Sequence, residues 1–262
     1  MSQLVYVYAI LRQPVAASVD GIDGRPLRWI GNDQLVAAVS DVPARDFSEE
    51  PLNERIRDIT WLGPRAIAHQ DVNEHLWEAS TATVPLAFGT VFRDDERVQG
   101  LLSTEAIKLL DRLQQVEDRG EWVVALHRVN PLSPAELAAH SPTLQQLHAQ
   151  IETSSPGRAH LLRRQAATLE RDEAHRRDAE AARALSDMLR PAADDVFAEA
   201  LPGDAVERPL ARLSVLVKRK NESAFLDVVD GARRRWPEPT YRLLLTGPWP
   251  PYRFAGLDRD AI

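Results

Sequence analysis

The sequence predicts an α+β protein, on three observations. β-branched and aromatic runs without a helical period occur at Leu4–Ile10, Glu121–Val129, Leu210–Val217 and Tyr241–Thr246. Apolar residues at helical spacing fill most of the chain between them. An uncharged run, Val84-Pro85-Leu86-Ala87-Phe88-Gly89-Thr90-Val91-Phe92, lies between two such helical stretches.

Leu4 to Ile10 is apolar on both parities, which suits a central strand covered on both faces. Leu27–Ile30 and Leu35–Val39 flank Gly31-Asn32-Asp33-Gln34, a hairpin signal. Helical spacing follows at Leu52, Ile56, Ile59 and Ala66. Gly63-Pro64 predicts a break there, because proline removes a helical N–H and disfavours helix at the residue before it. One helix is expected to Leu62 and a second from Pro64 to about Ala79. The run Val84–Phe92 is expected as one strand. Strict alternation sends Val84, Leu86, Phe88, Thr90 and Phe92 to one face and Ala87, Gly89 and Val91 to the other. Gly89 suggests a bulge or a close backbone approach. Asp94 and Asp95 cap a helix carrying Val98, Leu101, Leu102, Leu109 and Leu113. With the strand at Glu121–Val129, residues 1–130 read as an α+β sandwich of ferredoxin-like type, with helices on one face of the sheet.

Pro131, Pro134 and Pro142 mark a boundary, and 131–262 is expected as a second domain of long helices followed by a β-α-β unit. Ser155-Pro156 reads as an N-cap and first-turn pair. The helix to Arg190 has Asp172–Arg176 and Glu173–Arg177 at i,i+4, and between Leu169 and Leu185 its apolar residues are alanines. Pro191 should end it. The strand at Leu210–Val217 leads into Lys218-Arg219-Lys220, expected as a solvated strand end. Arg233-Arg234-Arg235 closes the next helix, where cations favour the helix dipole.

Composition narrows the function classes. The 262 residues allow two modest domains or one large one, and 44% hydrophobic content supports a packed core. A net charge of −7 argues against a general nucleic-acid or anionic-membrane binder. The absence of cysteine excludes disulfides, thiolate metal sites and a thiol nucleophile, and fits a cytoplasmic protein. Met1-Ser2-Gln3 runs directly into a strand, so no secretory signal is expected. The longest aliphatic–aromatic run, Leu4–Leu11, is far short of the ~20 residues of a membrane-spanning helix. No phosphate-binding glycine loop or nucleophile elbow occurs. His69, Asp71 and His75 invite a metal-site reading. At ~100° per helical residue, however, His69 and Asp71 point about 200° apart, and only Asp71 and His75 share a face. No cofactor, metal or catalytic residue is therefore assigned. Two rival readings stay open: a ligand-binding or regulatory module, and, more distantly, a metal-assisted hydrolase built on His69, Asp71 and His75.

Four stretches together carry a resemblance. They are Tyr6-Val7-Tyr8-Ala9-Ile10, Trp61-Leu62 with Ala68-His69, Pro85 to Phe92, and Leu245-Thr246-Gly247-Pro248-Trp249-Pro250-Pro251-Tyr252, with Glu121-Trp122-Val123-Val124 as a weaker fifth. In this order, over nearly the whole chain, they resemble the gas vesicle protein F/L family (GvpF and GvpL). The family pattern has Glu where Gln70 stands and Arg where Ala87 stands. The resemblance implies a modified ferredoxin-like N-terminal domain and a C-terminal α+β domain with long helices. It also implies a non-enzymatic role as a minor shell component or assembly factor in the gas vesicle. The implied partners are the main, hydrophobic gas vesicle shell protein and other accessory proteins. The candidate contact surface is the Pro/aromatic tail, Trp249, Pro250, Tyr252 and Phe254, plus any exposed edge of the N-terminal sheet.

Overall fold

The first strand organises the N-terminal sheet. The computed structural model describes residues 2–16, 18–201 and 208–256. In it β1 (Gln3–Leu11) pairs antiparallel with β3 (Val36–Pro43) on one side, and β2 (Arg28–Gly31) pairs outside β3. On its other side β1 pairs with two short strands, β4 (Val84–Pro85) and β5 (Val91–Phe92). The register with β3 shifts between Val7 and Ala9, a bulge at Tyr8. The bulge changes which residues share a face. Val5, Val7 and Ile10 lie on one side of the strand, and Tyr6, Tyr8, Ala9 and Leu11 on the other.

Helices cover both faces, where the sequence pattern predicted one. Val98, Leu101 and Leu102 of α4 (Asp95–Thr104), with Leu109 and Leu113 of α5 (Ala106–Gln115), pack on the Val5/Val7 side. Phe47 of α1 (Ala44–Phe47) and Trp61, Val72 and Leu76 of α3 (Ile59–Glu78) pack on the tyrosine side. Leu52 of α2 (Glu49–Arg55) fills in beside them. Arg28 ties β2 to β3 and α4 through Asp41 and Asp95, each at 2.7 Å.

Three local expectations are corrected. The helix break lies at residues 56–58, not at Gly63-Pro64. Asp58 accepts the Thr60 N–H at 2.9 Å and starts α3, which continues through Pro64 to Glu78. The proline sits in the second turn and forfeits one backbone hydrogen bond, and the burial of Trp61, Val72 and Leu76 outweighs that loss. The run Val84–Phe92 is two short strands around a loop. Gly89 has φ +86°, and the pairing sums of β4 and β5 against β1 differ by three residues. Strict alternation therefore fails. Leu86 stays with the Val5/Val7 side, whereas Phe88 crosses to the tyrosine side and is only half-buried. The helix after Asp94 is divided at Glu105 into α4 and α5.

The contacts divide the chain into two compact units. The first holds the residues up to Trp122, Leu216–Arg219 and the segment from Gly247; the second holds Val123–Val215 and Lys220–Thr246. The second unit contains α6 (Pro134–Ala138), α7 (Pro142–Thr153), the long α8 (Pro156–Leu189) and α9 (Glu222–Arg235). Along α8, Ala159, Ala166, Glu173, Ala181, Leu185 and Leu189 are buried, and of the alanines between Leu169 and Leu185 only Ala181 is fully buried. Ser155 occupies the N-cap position of α8, but its side chain makes no cap hydrogen bond. Arg176 pairs with Glu173 and Glu180, not with Asp172. A second sheet has the order β7-β8-β6-β9, with β7 (Asp195–Ala198), β8 (Ala211–Lys218), β6 (Arg119–Arg128) and β9 (Tyr241–Trp249). The strand β7, exposed and only four residues long, is not signalled by sequence. No helix among the described residues is long and apolar enough to cross a membrane.

Leu86 is 1% exposed in the first core, and Ile59 is 77% exposed on α3. In urea unfolding, Leu86→Ala should cost about 2–5 kcal/mol, and Ile59→Ala should stay within about 0.5 kcal/mol of the parent. Equal effects would contradict the placement of the two side chains.

Candidate functional site

Beneath α3 lies a buried polar cluster. The Tyr6 hydroxyl receives the Gly89 N–H at 3.0 Å and meets His69 Nδ1 at 3.0 Å. Asn73 Nδ2 donates to the His69 carbonyl at 3.0 Å and lies 3.1 Å from His69 Nε2. An amide nitrogen carries two hydrogens and no lone pair to offer, so Nε2 is the acceptor. The ring proton is then on Nδ1 and is donated to Tyr6 Oη. Phe88, Tyr6 and Tyr8 surround the imidazole with ring centroids 5.7–5.8 Å away. Burial pushes the His69 pKa down to about 4, with the Leu86 carbonyl opposing. Burial likewise raises the Tyr6 hydroxyl, the Gly89 N–H opposing. Tyr8 caps a separate turn, accepting the Ile22 N–H at 2.8 Å and sharing a 2.7 Å bond with Ser40. Both imidazole nitrogens have partners within the cluster, whereas the Asn73 side-chain oxygen is buried without one.

The Pro/aromatic tail is clamped to the same unit. The Gly247–Pro248 peptide is cis, and Gly247 has φ +122°. A Cβ there would lie 2.7 Å from the Glu121 carbonyl oxygen, so the close approach of the two strands requires glycine. Trp77 Nε1 donates to the Arg119 carbonyl at 2.8 Å, and the Arg219 guanidinium lies 4.4 Å over the Trp77 ring while donating to its carbonyl. Arg219 is thus half-buried and engaged, which corrects the expectation of a solvated strand end at Lys218–Lys220. Glu121 accepts the Arg253 N–H at 2.8 Å. The short α10 (Tyr252–Ala255) puts Phe254, 5% exposed, into the first core. Pro250 is buried, and Trp249 and Tyr252 remain partly exposed. Tyr252 Oη donates to Gln70 Oε1 at 3.0 Å, and Gln70 Nε2 reaches Glu74 at 2.8 Å. Burial holds the Tyr252 hydroxyl above its ordinary range, and the Glu74 carboxylate adds to the shift.

On the outer side of α3, large apolar residues face solvent. Ile59 is 77% and Ile67 63% exposed, and Ile56, just before the helix, is 42% exposed. Ile59, Gly63, Ile67 and Gln70 fall within about 80° of one another around the helix axis. The stripe therefore runs toward Gln70, where the Tyr252 hydroxyl is bound. The helical spacing at Leu52, Ile56, Ile59 and Ala66 carries no sign of which line faces solvent, and Ile67 does not stand out in it. The three metal candidates are not gathered: His69 is buried in the tyrosine cluster, Asp71 is exposed, and His75 Nε2 accepts the Ser18 N–H at 3.4 Å. No grouping of metal-binding side chains occurs among the described residues.

His69 gives a pH prediction. In the unfolded chain it titrates near its ordinary value of 6.5, whereas in the folded chain it stays neutral until about 4. The unfolded state therefore binds a proton first as pH falls. Its contribution is fully present above the unfolded value and is lost between about 6.5 and 4, to the extent of about 3 kcal/mol. Urea unfolding at pH 7.5 and 4.5 should show this loss, and His69→Gln should flatten that part of the profile. An unchanged slope in the variant would contradict the burial of a neutral imidazole.

The comparisons bear on the whole chain. The family model described as gas vesicle synthesis protein GvpL/GvpF matches residues 4–256. Gas vesicle protein L of Streptomyces sp. (strain CB03234) is 34% identical over 271 residues, with 99% of this chain and 96% of that protein covered. Gas vesicle protein F of the same strain is 30% identical, with 95% and 98% covered. Among solved structures, GvpF from Anabaena sp. PCC7120 superposes with a TM-score of 0.69 at 19% identity, over 98% of each chain, and GvpF from Microcystis aeruginosa with 0.68. These two speak for the fold. On the family match and the two Streptomyces relatives, the chain belongs to the gas vesicle protein GvpL/GvpF family.

Proposed function

We propose that this protein is a non-enzymatic accessory of gas vesicle formation, a minor shell component or assembly factor that binds the main hydrophobic shell protein in the cytoplasm. Family membership supports the vesicle role. The observation that carries the docking reading is the solvent-facing pair Ile59 and Ile67 on a helix whose other face is fixed in the core, with Ile56 exposed just before it. Ile59 and Ile67 fall on one outer line of α3, and with Ile56 exposed just before its start they form more than scattered surface apolarity. Such a stripe suits an amphipathic partner helix laid alongside it. Trp249 and Tyr252 extend the surface at the Gln70 end, while Pro250 and Phe254 support it from within. A small shell subunit with aggregation-prone apolar surface is held on such a face until it joins the shell.

Ile59→Asp and Ile67→Asp should leave the melting temperature of the isolated protein unchanged, because both side chains already face water. Cross-linking or pull-down with the main shell protein should weaken by about tenfold or more, as expected when a charge is placed against an apolar partner surface. Undiminished capture by both variants would refute this surface. Failure of the parent to capture shell protein, with normal vesicles in a deletion strain, would refute the function.

A further inference from the structure

The arginine run that ends α9 has a second feature besides its place at a helix C-terminus. Arg233 pairs with Asp230 at 2.7 Å, but Arg235 turns back over Trp236, its guanidinium carbon 5.3 Å from the ring centroid. Arg235, Trp236 and Tyr241 line one side of a cavity of about 340 Å³, and Arg177, Ala181 and Ala184 of α8 line the other. This is the size range of small-ligand and side-chain pockets. Trp236 and Tyr241 are 7% and 9% exposed and form an apolar wall. Among the described residues neither Arg177 nor Arg235 has a hydrogen-bonded carboxylate. Glu180 also lines the cavity, but Arg176 holds its carboxylate at 2.6 Å. Asp178, next along α8, is paired with Arg128 at 3.3 Å. Both acids are therefore paired with other arginines, and Arg177 and Arg235 against Glu180 leave the lining with a net positive charge.

A second cavity of about 290 Å³ shares Arg177 and Tyr241 with the first. Its wall includes the apolar groups Leu132, Ala139 and Pro237. Two acids border it: Glu136 accepts from Ser133 in the capping box of α6 and also feels the charge of Arg177, and Glu238 lies 3.7 Å from Arg242. A cationic subsite thus adjoins an apolar one, with Arg177 and Tyr241 between them.

We propose that this cleft is a peptide-binding site for an acidic side chain flanked by an aliphatic residue on a partner protein. The carboxylate sits between Arg177 and Arg235, where a planar guanidinium offers paired N–H donors. The Trp236 and Tyr241 rings exclude water from that pairing, and the aliphatic side chain fills the space beside Leu132, Ala139 and Pro237. The site is independent of the isoleucine stripe on α3, so loss of either leaves the other in place.

The test is a titration of the full chain with N-acetyl-Leu-Glu-amide, followed through the tryptophan indole N–H resonances. The expected result is a saturable shift of the Trp236 indole. N-acetyl-Leu-Gln-amide should bind about tenfold more weakly or worse, since it lacks the charge. Arg177→Gln and Arg235→Gln should each cause a comparable loss at an unchanged melting temperature. If Arg177→Gln is itself unstable, the Arg235→Gln variant and the peptide pair decide. Absence of a saturable shift, equal binding of the two peptides, or displacement of the Glu peptide by an equal concentration of inorganic phosphate would overturn the proposal.

Discussion

One hydroxyl holds the first unit in register. Tyr6 Oη takes the Gly89 N–H from the loop between β4 and β5 and the Nδ1 proton from His69 on α3. The loop needs that bond because residues 86–90 leave the ladder with β1, and only Leu86 N–H to Tyr8 and Val7 N–H to Thr90 bridge the gap. An unpaired N–H buried at Gly89 would cost about 1–3 kcal/mol. The helix needs it because the imidazole is buried and must stay neutral and satisfied on both nitrogens. Strand, loop and helix are thereby tied together through the Tyr6 hydroxyl and the His69 ring.

That fixed inner face makes the outer face of α3 available. A helix whose buried side carries Trp61, His69, Val72, Asn73 and Leu76 has no freedom to roll, so Ile59 and Ile67 stay in water. The tail reinforces this. Trp77 and Arg219 clamp the end of α3, and Tyr252 is hydrogen-bonded to Gln70. The Pro/aromatic tail is partly core and partly surface: Phe254 anchors it and Tyr252 closes onto the helix. The energy of holding an apolar stripe in solvent is met by burial on the opposite side of the same helix.

Much of the fold was legible because apolar patterning sets it. The strand at Leu4–Ile10, the hairpin around Asn32, the cap at Asp94 and the long helix from Pro156 all follow from local chemistry. What was hidden depends on contacts between residues far apart in sequence. The bulge at Tyr8 and the crossing of Phe88 arise from pairing with strands about thirty to eighty residues away, where periodicity carries no information. The helix start at Asp58 outcompetes the proline signal at Pro64 because packing of the later turns sets the helix direction. Arg219 looked solvated because its partner, Trp77, lies in another element. For the candidate surface, the tail was legible as a motif but not as a set of buried and exposed atoms. Ile59 and Ile67 have the same residue type as core positions, and only the position of Trp61 and His69 decides which side faces out.

His69 is a neutral, Nδ1-protonated imidazole held between Tyr6 and Asn73. Nitrogen-15 chemical shifts of the histidine side chains measure this directly. A protonated Nδ1 and an unprotonated Nε2 are expected for His69, unchanged from pH 7.5 to pH 5 while the protein stays folded. An Nε2-protonated tautomer, or a titration of His69 near 6.5 in the folded protein, would contradict it.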